Sequence, residues 1–313
     1  MRGMDTVTTP VVSVIIPTYQ RPESVMRSIR SALDQTYRDI EVIVMDDSRN
    51  EETKKAAAEI NDGRFRYIYN VDRFGYVENK NQGVRLANPV SRYIAFLDDD
   101  DIYLPHFLER TVAELEKNPK AIAAVTDCEL RRVDGAFIKR YHCERNIFWK
   151  VSLGNGAVVR KDVFTKLGIW FDKNVAFEDL DFGLRIVKDH PWISIPEVLR
   201  VYYRYYTKMG DSVSTMFVKT TPREELESLL KKDEAIYAAA GDLALAWVHA
   251  LTGKMLVRAG HYAAGREHLR AALKYDFRLS YVVYYLVALI FPAAFLKSSV
   301  AVFKNKVTGF FKK

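Results

Sequence analysis

Four consecutive aspartates, Asp98 to Asp101, close the apolar run RYIAFLDDDD (92–101). Like charges this close repel strongly unless a cation or protons neutralise them. Hard oxygen ligands suit Mg²⁺ or Mn²⁺, and Mg²⁺ typically shares its shell with substrate phosphates. The alternative is a solvated acidic loop, or acids capping the next helix; the flanking YIAFL and IYLP favour a metal site. Asp46 and Asp47 end a second apolar run, IEVIVMDD (40–47), where a carboxylate can accept from a base N–H or a ribose hydroxyl, or simply cap a helix. Lys80, in ENKNQG, offers a counter-charge for a diphosphate near the metal, unless it is an ordinary surface lysine. Glu178-Asp179 open a helical run after a Gly-rich stretch. One of these carboxylates could deprotonate an incoming hydroxyl, or both could serve only as favourable charge at a helix N-terminus. The six histidines show no metal spacing, and no Ser/His/Asp order or Gly-x-Ser-x-Gly elbow points to a hydrolase.

These residues need elements to hold them. VVSVIIP (11–17) reads as a buried parallel strand, and SVMRSIRSALDQ (24–35) carries the 3.6-residue apolar period of an amphipathic helix. Strands at 40–47, 65–70 and 92–101 alternate with helices at 51–61, 77–88 and 107–118. Four strand–helix units predict an α/β sheet with crossover helices. Ligands of such sheets sit off the carboxyl ends of the strands, where the unusual residues cluster. No GxGxxG and no P-loop follows a strand, so phosphates bound here need a counter-charge other than a glycine loop. Beyond residue 120 the pattern predicts a strand and hairpin at 121–133, a Gly-rich strand at 154–160, a helix to Val187 and a closing strand at 197–206. From Thr221 on it is helical, with a capping box at Thr221-Pro222-Arg223-Glu224 and helices near 222–240, 242–259 and 261–275.

Composition narrows the class. With 49% apolar and 28% charged residues the chain is a folded globular protein, not a disordered or low-complexity one. Cys128 and Cys143 are its only cysteines and lie in no CxxC or Cys/His cluster, which argues against zinc and a disulfide scaffold and for a reducing compartment. The net charge of +7 is concentrated late: residues 254–313 hold eleven Lys/Arg against Glu267 and Asp276. That distribution predicts no nucleic-acid groove but a local contact with an anionic surface such as lipid. Leu279 to Leu296 is an uncharged stretch of eighteen residues with Pro292 inside and cations on both sides. It just reaches spanning length, but the basic flanks on both sides favour a helix or hairpin lying in the interface. The N-terminus has no apolar stretch and predicts no signal peptide.

Taken in series, VSVIIPTYQRPESVMRSIRSALDQTYRDIEVIVMDDSRNEET, GYVENKNQGVRLA, RYIAFLDDDDIYLP and GNGAVVRKDVFTKLGIWFDKNVAFEDLDFGLRI resemble the inverting family 2 glycosyltransferases of GT-A fold. The resemblance covers roughly residues 11–206. It implies a mostly parallel sheet flanked by helices in a catalytic domain over 1–220; it does not explain the C-terminal hundred residues, whose own pattern gives a helical hairpin region over 221–276 and a membrane-associating tail over 277–313. It implies that Pro17, Thr18 and Tyr19 line the nucleoside pocket, that Asp46 or Asp47 holds base or ribose, and that Lys80 stands near the diphosphate. Asp98 and Asp100 match the outer acids of the DxD motif, with Asp100 the direct metal ligand, Asp98 a second and Asp99 beside the sugar nucleotide. Asp179 matches the general base, and Asn155 and Gly156 border donor sugar or acceptor. Mg²⁺ or Mn²⁺ is the implied cofactor.

Two departures carry meaning. Tyr206 stands where many relatives have a histidine, and the QxxRW motif of processive synthases is missing, which points to addition of a single sugar. The expected activity is transfer from a UDP- or GDP-sugar to a hydroxyl of a lipid-linked glycan or glycolipid at the cytoplasmic membrane face. A nucleotidyltransferase would need a Gly-rich basic loop after the first strand, which PTYQRPES lacks. A silent sugar-nucleotide-binding protein of the same fold is disfavoured by Asp98, Asp100 and Asp179 occurring together.

Overall fold

The computed structural model describes residues 10–72, 74–143, 156–175, 178–187, 189–204 and 241–278, with isolated positions at 238 and up to 289. The chain divides into two compact units, Met1–Tyr206 and Thr207–Lys313.

In the first unit, β1 (Val12–Thr18) and β2 (Ile40–Asp46) are buried at every position, which only a central strand covered on both faces can be. With β3 (Phe65–Tyr69) and β4 (Tyr93–Phe96) they form a parallel half-sheet ordered β3-β2-β1-β4. The order continues through β8 (Ala157–Arg160), β6 (Ala123–Arg132), β9 (Trp192–Arg204) and β5 (Ile102–Tyr103), while β7 (Phe137–Tyr141) pairs with β6. Here β8 is antiparallel to both β4 and β6, and the long β6–β9 ladder is parallel again.

Alternation along β1 divides the core between two faces. Val12, Val14 and Ile16 meet α1 (Pro22–Leu33) and α4 (Phe107–Lys117) on one side. Ile15 joins Phe96, Phe164, Phe171 and Phe182 on the other, where α3 (Tyr76–Leu86) and α6 (Glu178–Val187) pack. Each fully buried large apolar side chain contributes about 1.5–3 kcal/mol. The predicted face of α1 is the buried one: Val25, Met26, Ile29, Ala32 and Leu33 all point inward. Gly83 lets α3 lie directly on β1, because a Cβ there would come within 2.4 Å of Ile15 Cγ2. The short helices α2 (Glu52–Ala57) and α5 (Asp162–Thr165) complete the layer connections.

Three boundaries differ from the pattern reading. The fourth strand stops at Phe96, and Asp98–Asp101 form a turn closed by Asp101 N–H on the Asp98 carbonyl at 3.2 Å. Four adjacent carboxylates cannot all be held in a ladder without large repulsion, so the ladder ends before them. Helix α2 ends at Ala57 in a tight last turn, with Glu59 and Ile60 N–H on Ala56 and Ala57 carbonyls. Strand β9 begins five residues early, at Trp192, and runs past Pro196 because the ladder skips it: Thr126 pairs Ile195, but Asp127 pairs Val198. Proline has no N–H to donate, and a bulge accommodates it.

In the second unit, α7 (Asp242–Ala259) and α8 (Tyr262–Tyr275) match the two helices read at 242–259 and 261–275. Left-handed Gly260 ends α7, and the helices touch at Gly253 and Gly265. Among the described residues no helix is long and apolar enough to cross a membrane. The capping box at 221–224, Tyr206, and most of 279–296 lie outside the described residues.

Candidate active site

The parallel half-sheet delivers its side chains to one edge. Thr18, last in β1, donates from Oγ1 to Asp99 Oδ2 at 2.8 Å. Arg21, just before α1, places one nitrogen 2.9 Å from Asp99 Oδ1 and 2.7 Å from Asp100 Oδ2. Tyr19 is exposed beside them, and the chain turns at Gln20 with φ 54°. Pro17 is buried in β1, paired with Met45.

Both acids of β2 are engaged by their own chain. Asp46 is fully buried and accepts from Ser48 N–H at 2.8 Å and from the Tyr67 hydroxyl at 2.5 Å. Asp47 accepts from Asn70 Nδ2 and Gly75 N–H, each at 2.7 Å, and so fixes the loop that leads into α3.

Asp98, Asp100 and Asp101 each offer a carboxylate oxygen, all within 4.8 Å of one another. Asp99 is turned away toward Thr18 and Arg21. Asp101 also accepts from Tyr203 N–H at 3.0 Å, which ties the turn to β9. Desolvation pushes Asp98 up to about 8, with Asp179, Asp100 and Asp99 adding to it against the opposing pull of Lys80. Desolvation and then Asp100 and Asp98 raise Asp101 well above the carboxylate range. Desolvation, with Asp100 against Arg21, puts Asp99 at about 6. Three hard oxygen donors this close, their charge only partly offset by Arg21 and Lys80, fit a divalent cation. Asp98, Asp100 and Asp101 are the residues that would hold it.

Across from this turn stands the N-terminus of α6. Lys80, from α3, is fully buried and donates to Asp179 Oδ1 at 2.6 Å, with Glu178 Oε1 at 3.8 Å. Burial alone would lower Lys80, but Asp179, Glu178 and Asp98 outweigh it and hold it above its ordinary value. Burial and Asp179 lift Glu178 to about 7 against Lys80. Tyr76 bridges the two carboxylate groups: its hydroxyl is 3.1 Å from Asp98 Oδ1 and its ring is 4.3 Å from Lys80 Nζ. Gly156 sits at φ 89°, hydrogen-bonds Phe96 O at 3.2 Å, and leaves room for Arg200, whose Nη1 a Cβ would meet at 1.7 Å. Asn155 lies outside the described residues.

Residues 13–162 match the family model "Glycosyl transferase family 2". The match spans just under half of this chain, over the strands that carry the acids. An uncharacterised glycosyltransferase of Haemophilus influenzae is 27% identical over 223 residues, 65% of this chain and 68% of its own length. The Escherichia coli UDP-Glc:alpha-D-GlcNAc-diphosphoundecaprenol beta-1,3-glucosyltransferase WfgD is 34% identical over 108 residues, which is 34% of this chain and 42% of that one. In three dimensions the chain is similar to a mannosyltransferase of Pyrobaculum calidifontis, solved with GDP-Man and Mn²⁺, at TM-score 0.56 and 18% identity over 90% of this chain and 84% of that one. The fold is the GT-A fold, and glycosyl transfer is the activity to which the family model and the relatives point.

Sequence reasoning found the acids but missed three of their neighbours. Arg21 carried a signal, since four adjacent acids demand a cation and Arg21 follows the first strand. Asp101 stood in the motif but had no spacing to mark it. Arg200 had no signal at all, because only the bulged register of β9 brings it to Gly156 and to the Tyr202 hydroxyl at 2.9 Å.

Proposed function

We propose that this protein is a family 2 glycosyltransferase: a metal-dependent, inverting, non-processive enzyme that moves one sugar from a UDP- or GDP-sugar to an acceptor hydroxyl. The observation that carries the reading is the pairing of two acid groups: the triad Asp98, Asp100 and Asp101, and Asp179, joined through Tyr76 and Lys80.

A divalent cation held by the triad would stabilise charge on the departing nucleoside diphosphate. The rest falls to the chain. The strand ends at Pro17–Tyr19 and Asp46–Asp47 shape a floor for the nucleoside, with Asp46 and Asp47 fixed by Ser48, Tyr67, Asn70 and Gly75. Asp179 accepts the acceptor hydroxyl's proton as that oxygen forms its bond to the anomeric carbon and the bond to the diphosphate oxygen breaks. The attack comes from the opposite face, so one displacement inverts the centre and no sugar–enzyme bond forms. Asp179 keeps one oxygen on Lys80, which leaves the other for the proton.

The acceptor class is a lipid-linked glycan at the cytoplasmic membrane face. Support comes from the diphosphoundecaprenol acceptor named for the Escherichia coli relative, and from exposed Phe277, Leu286 and Leu289 near the cations Arg270, Lys274 and Arg278. Exposed apolar side chains that follow a run of cations in the sequence suit an anionic interface. The test is a screen of UDP- and GDP-sugars, with and without Mg²⁺ or Mn²⁺, for acceptor-dependent nucleoside diphosphate release. Full turnover in excess chelator would refute the metal role, and pyrophosphate release instead would favour a nucleotidyltransferase.

A further inference from the structure

Lys80 is placed where a diphosphate ligand could not easily be recruited. Its side chain is 0% exposed. The ammonium lies 2.6 Å from Asp179 Oδ1 and 3.8 Å from Glu178 Oε1, with the Tyr76 ring 4.3 Å and the Phe171 ring 5.1 Å away. Its neighbours on α3 are clamped as well. Asn79 Nδ2 donates to the Met45 carbonyl at 2.8 Å, and Asn81 exchanges bonds with the Phe171 backbone at 2.9 and 3.2 Å. Phe171 is itself wedged edge-on against Phe96 at 5.1 Å, next to the metal turn. To reach a phosphate, Lys80 would have to abandon two carboxylates and leave them desolvated without a cation, a change that costs several kcal/mol when a buried pair is broken.

We propose that Lys80 is a positioning residue for Asp179: it pins Oδ1 of the base and aims Oδ2 at the acceptor, rather than binding the donor diphosphate. This rests on the reading of Asp179 as general base. The rings of Tyr76 and Phe171 strengthen the arrangement, since a desolvated ammonium over aromatic faces is held electrostatically. The same Tyr76 reaches Asp98 with its hydroxyl, so base and metal turn share one support.

The experiment uses the full-length enzyme and the variants Lys80→Met, Lys80→Arg, Asp179→Asn and the Lys80→Met/Asp179→Asn double. UDP and GDP binding in Mg²⁺ are followed by calorimetry, and turnover by nucleoside diphosphate release. Lys80→Met should lose about 10² or more in kcat, on the scale of general-base loss, while nucleotide affinity stays within about threefold of wild type. Lys80→Arg, which keeps a cation beside Oδ1, should recover most of the rate. The double variant should be no slower than Asp179→Asn alone, as expected of residues acting as one unit. If Lys80→Met instead weakens nucleotide binding about tenfold and keeps kcat, or if the two losses multiply, the proposal is overturned. Should Lys80→Met fail to fold, Lys80→Gln decides: weakened nucleotide binding with kcat kept overturns the proposal, and a lowered kcat with intact binding supports it. Full activity of Asp179→Asn would remove the base assignment and the Lys80 proposal together. A dead Asp179→Asn beside a Lys80→Met defective only in nucleotide binding would remove the Lys80 proposal alone.

Discussion

Replacing Asp98 with Asn should make the metal-free protein more stable and the metal-loaded protein less so. The Asp98 carboxyl is pushed from its ordinary 3.8 up to about 8, with desolvation as the main cause and Asp179, Asp100 and Asp99 adding to it. Between those values the native state binds a proton that the unfolded chain has released, so stability falls as pH rises through the window. Each pH step of one across that window is worth about 1.4 kcal/mol, which bounds the full cost at about 5–6 kcal/mol. Lys80 offsets part of the charge and Asp101 shares it, so the amide should recover about 2–3 kcal/mol above pH 8. For a unit of about 200 residues that is a rise of roughly 4–12 °C in Tm. At pH 5 Asp98 is protonated in the native state, and the gain should shrink to a fraction of that. The Tyr76 hydroxyl can donate to an amide oxygen as it does to Asp98 Oδ1, so packing is kept. The assay is calorimetry of both proteins from pH 5 to 9 in chelator, repeated with Mg²⁺ or Mn²⁺. Metal should raise wild-type Tm and move the variant little, closing or reversing the gap. A variant less stable than wild type at pH 8 in chelator would refute the claim that Asp98 is held charged at a cost.

Asp179→Asn should reduce kcat about 10²–10⁴-fold with donor affinity nearly unchanged, and titration with UDP or GDP checks the second half. Gly156→Ala should lose stability by a few kcal/mol as well as activity, because the residue sits at φ 89° and the new methyl meets Arg200; a melting curve equal to wild type would contradict this. Removing residues 290–313 takes away five lysines while keeping Tyr281 in the cluster with Ala250 and Ala272. The truncated protein should bind UDP or GDP normally and float less with anionic liposomes; equal flotation would place the membrane contact elsewhere.

The N-terminal strands were legible because burial on both faces makes β1, β2 and β4 continuous apolar runs, which few other structures tolerate. The acids were legible because charge at the end of such a run is anomalous. What the pattern hid is long-range. Nothing local announces that Asp99 will turn to Thr18 and Arg21 while its neighbours converge, or that Lys80 will be fully buried rather than exposed on α3. Helix periodicity places Lys80 beside Asn79 and Asn81 on a polar-looking surface, and only the arrival of α6, about a hundred residues later, covers it. The early start of β9 was hidden for a similar reason, since Pro196 reads locally as a break and only pairing with β6 shows it as a skipped rung.

That skipped rung has an arithmetic of its own. From Thr126 to Cys128, β6 advances two residues, while β9 advances five, from Ile195 to Arg200. The surplus is odd, and in a lattice of period two an odd surplus exchanges the two faces of everything downstream. The side of the sheet on which Arg200 and Tyr202 emerge is therefore a matter of parity. Losing one residue between Pro196 and Leu199 would act like a frameshift in space, sending the arginine into the opposite layer and an aliphatic side chain toward Gly156. Losing two would leave the layers as they are. A one- and two-residue deletion series, read by nucleotide binding, should show the shorter lesion as the more damaging, so length variation among relatives should be tolerated here in pairs.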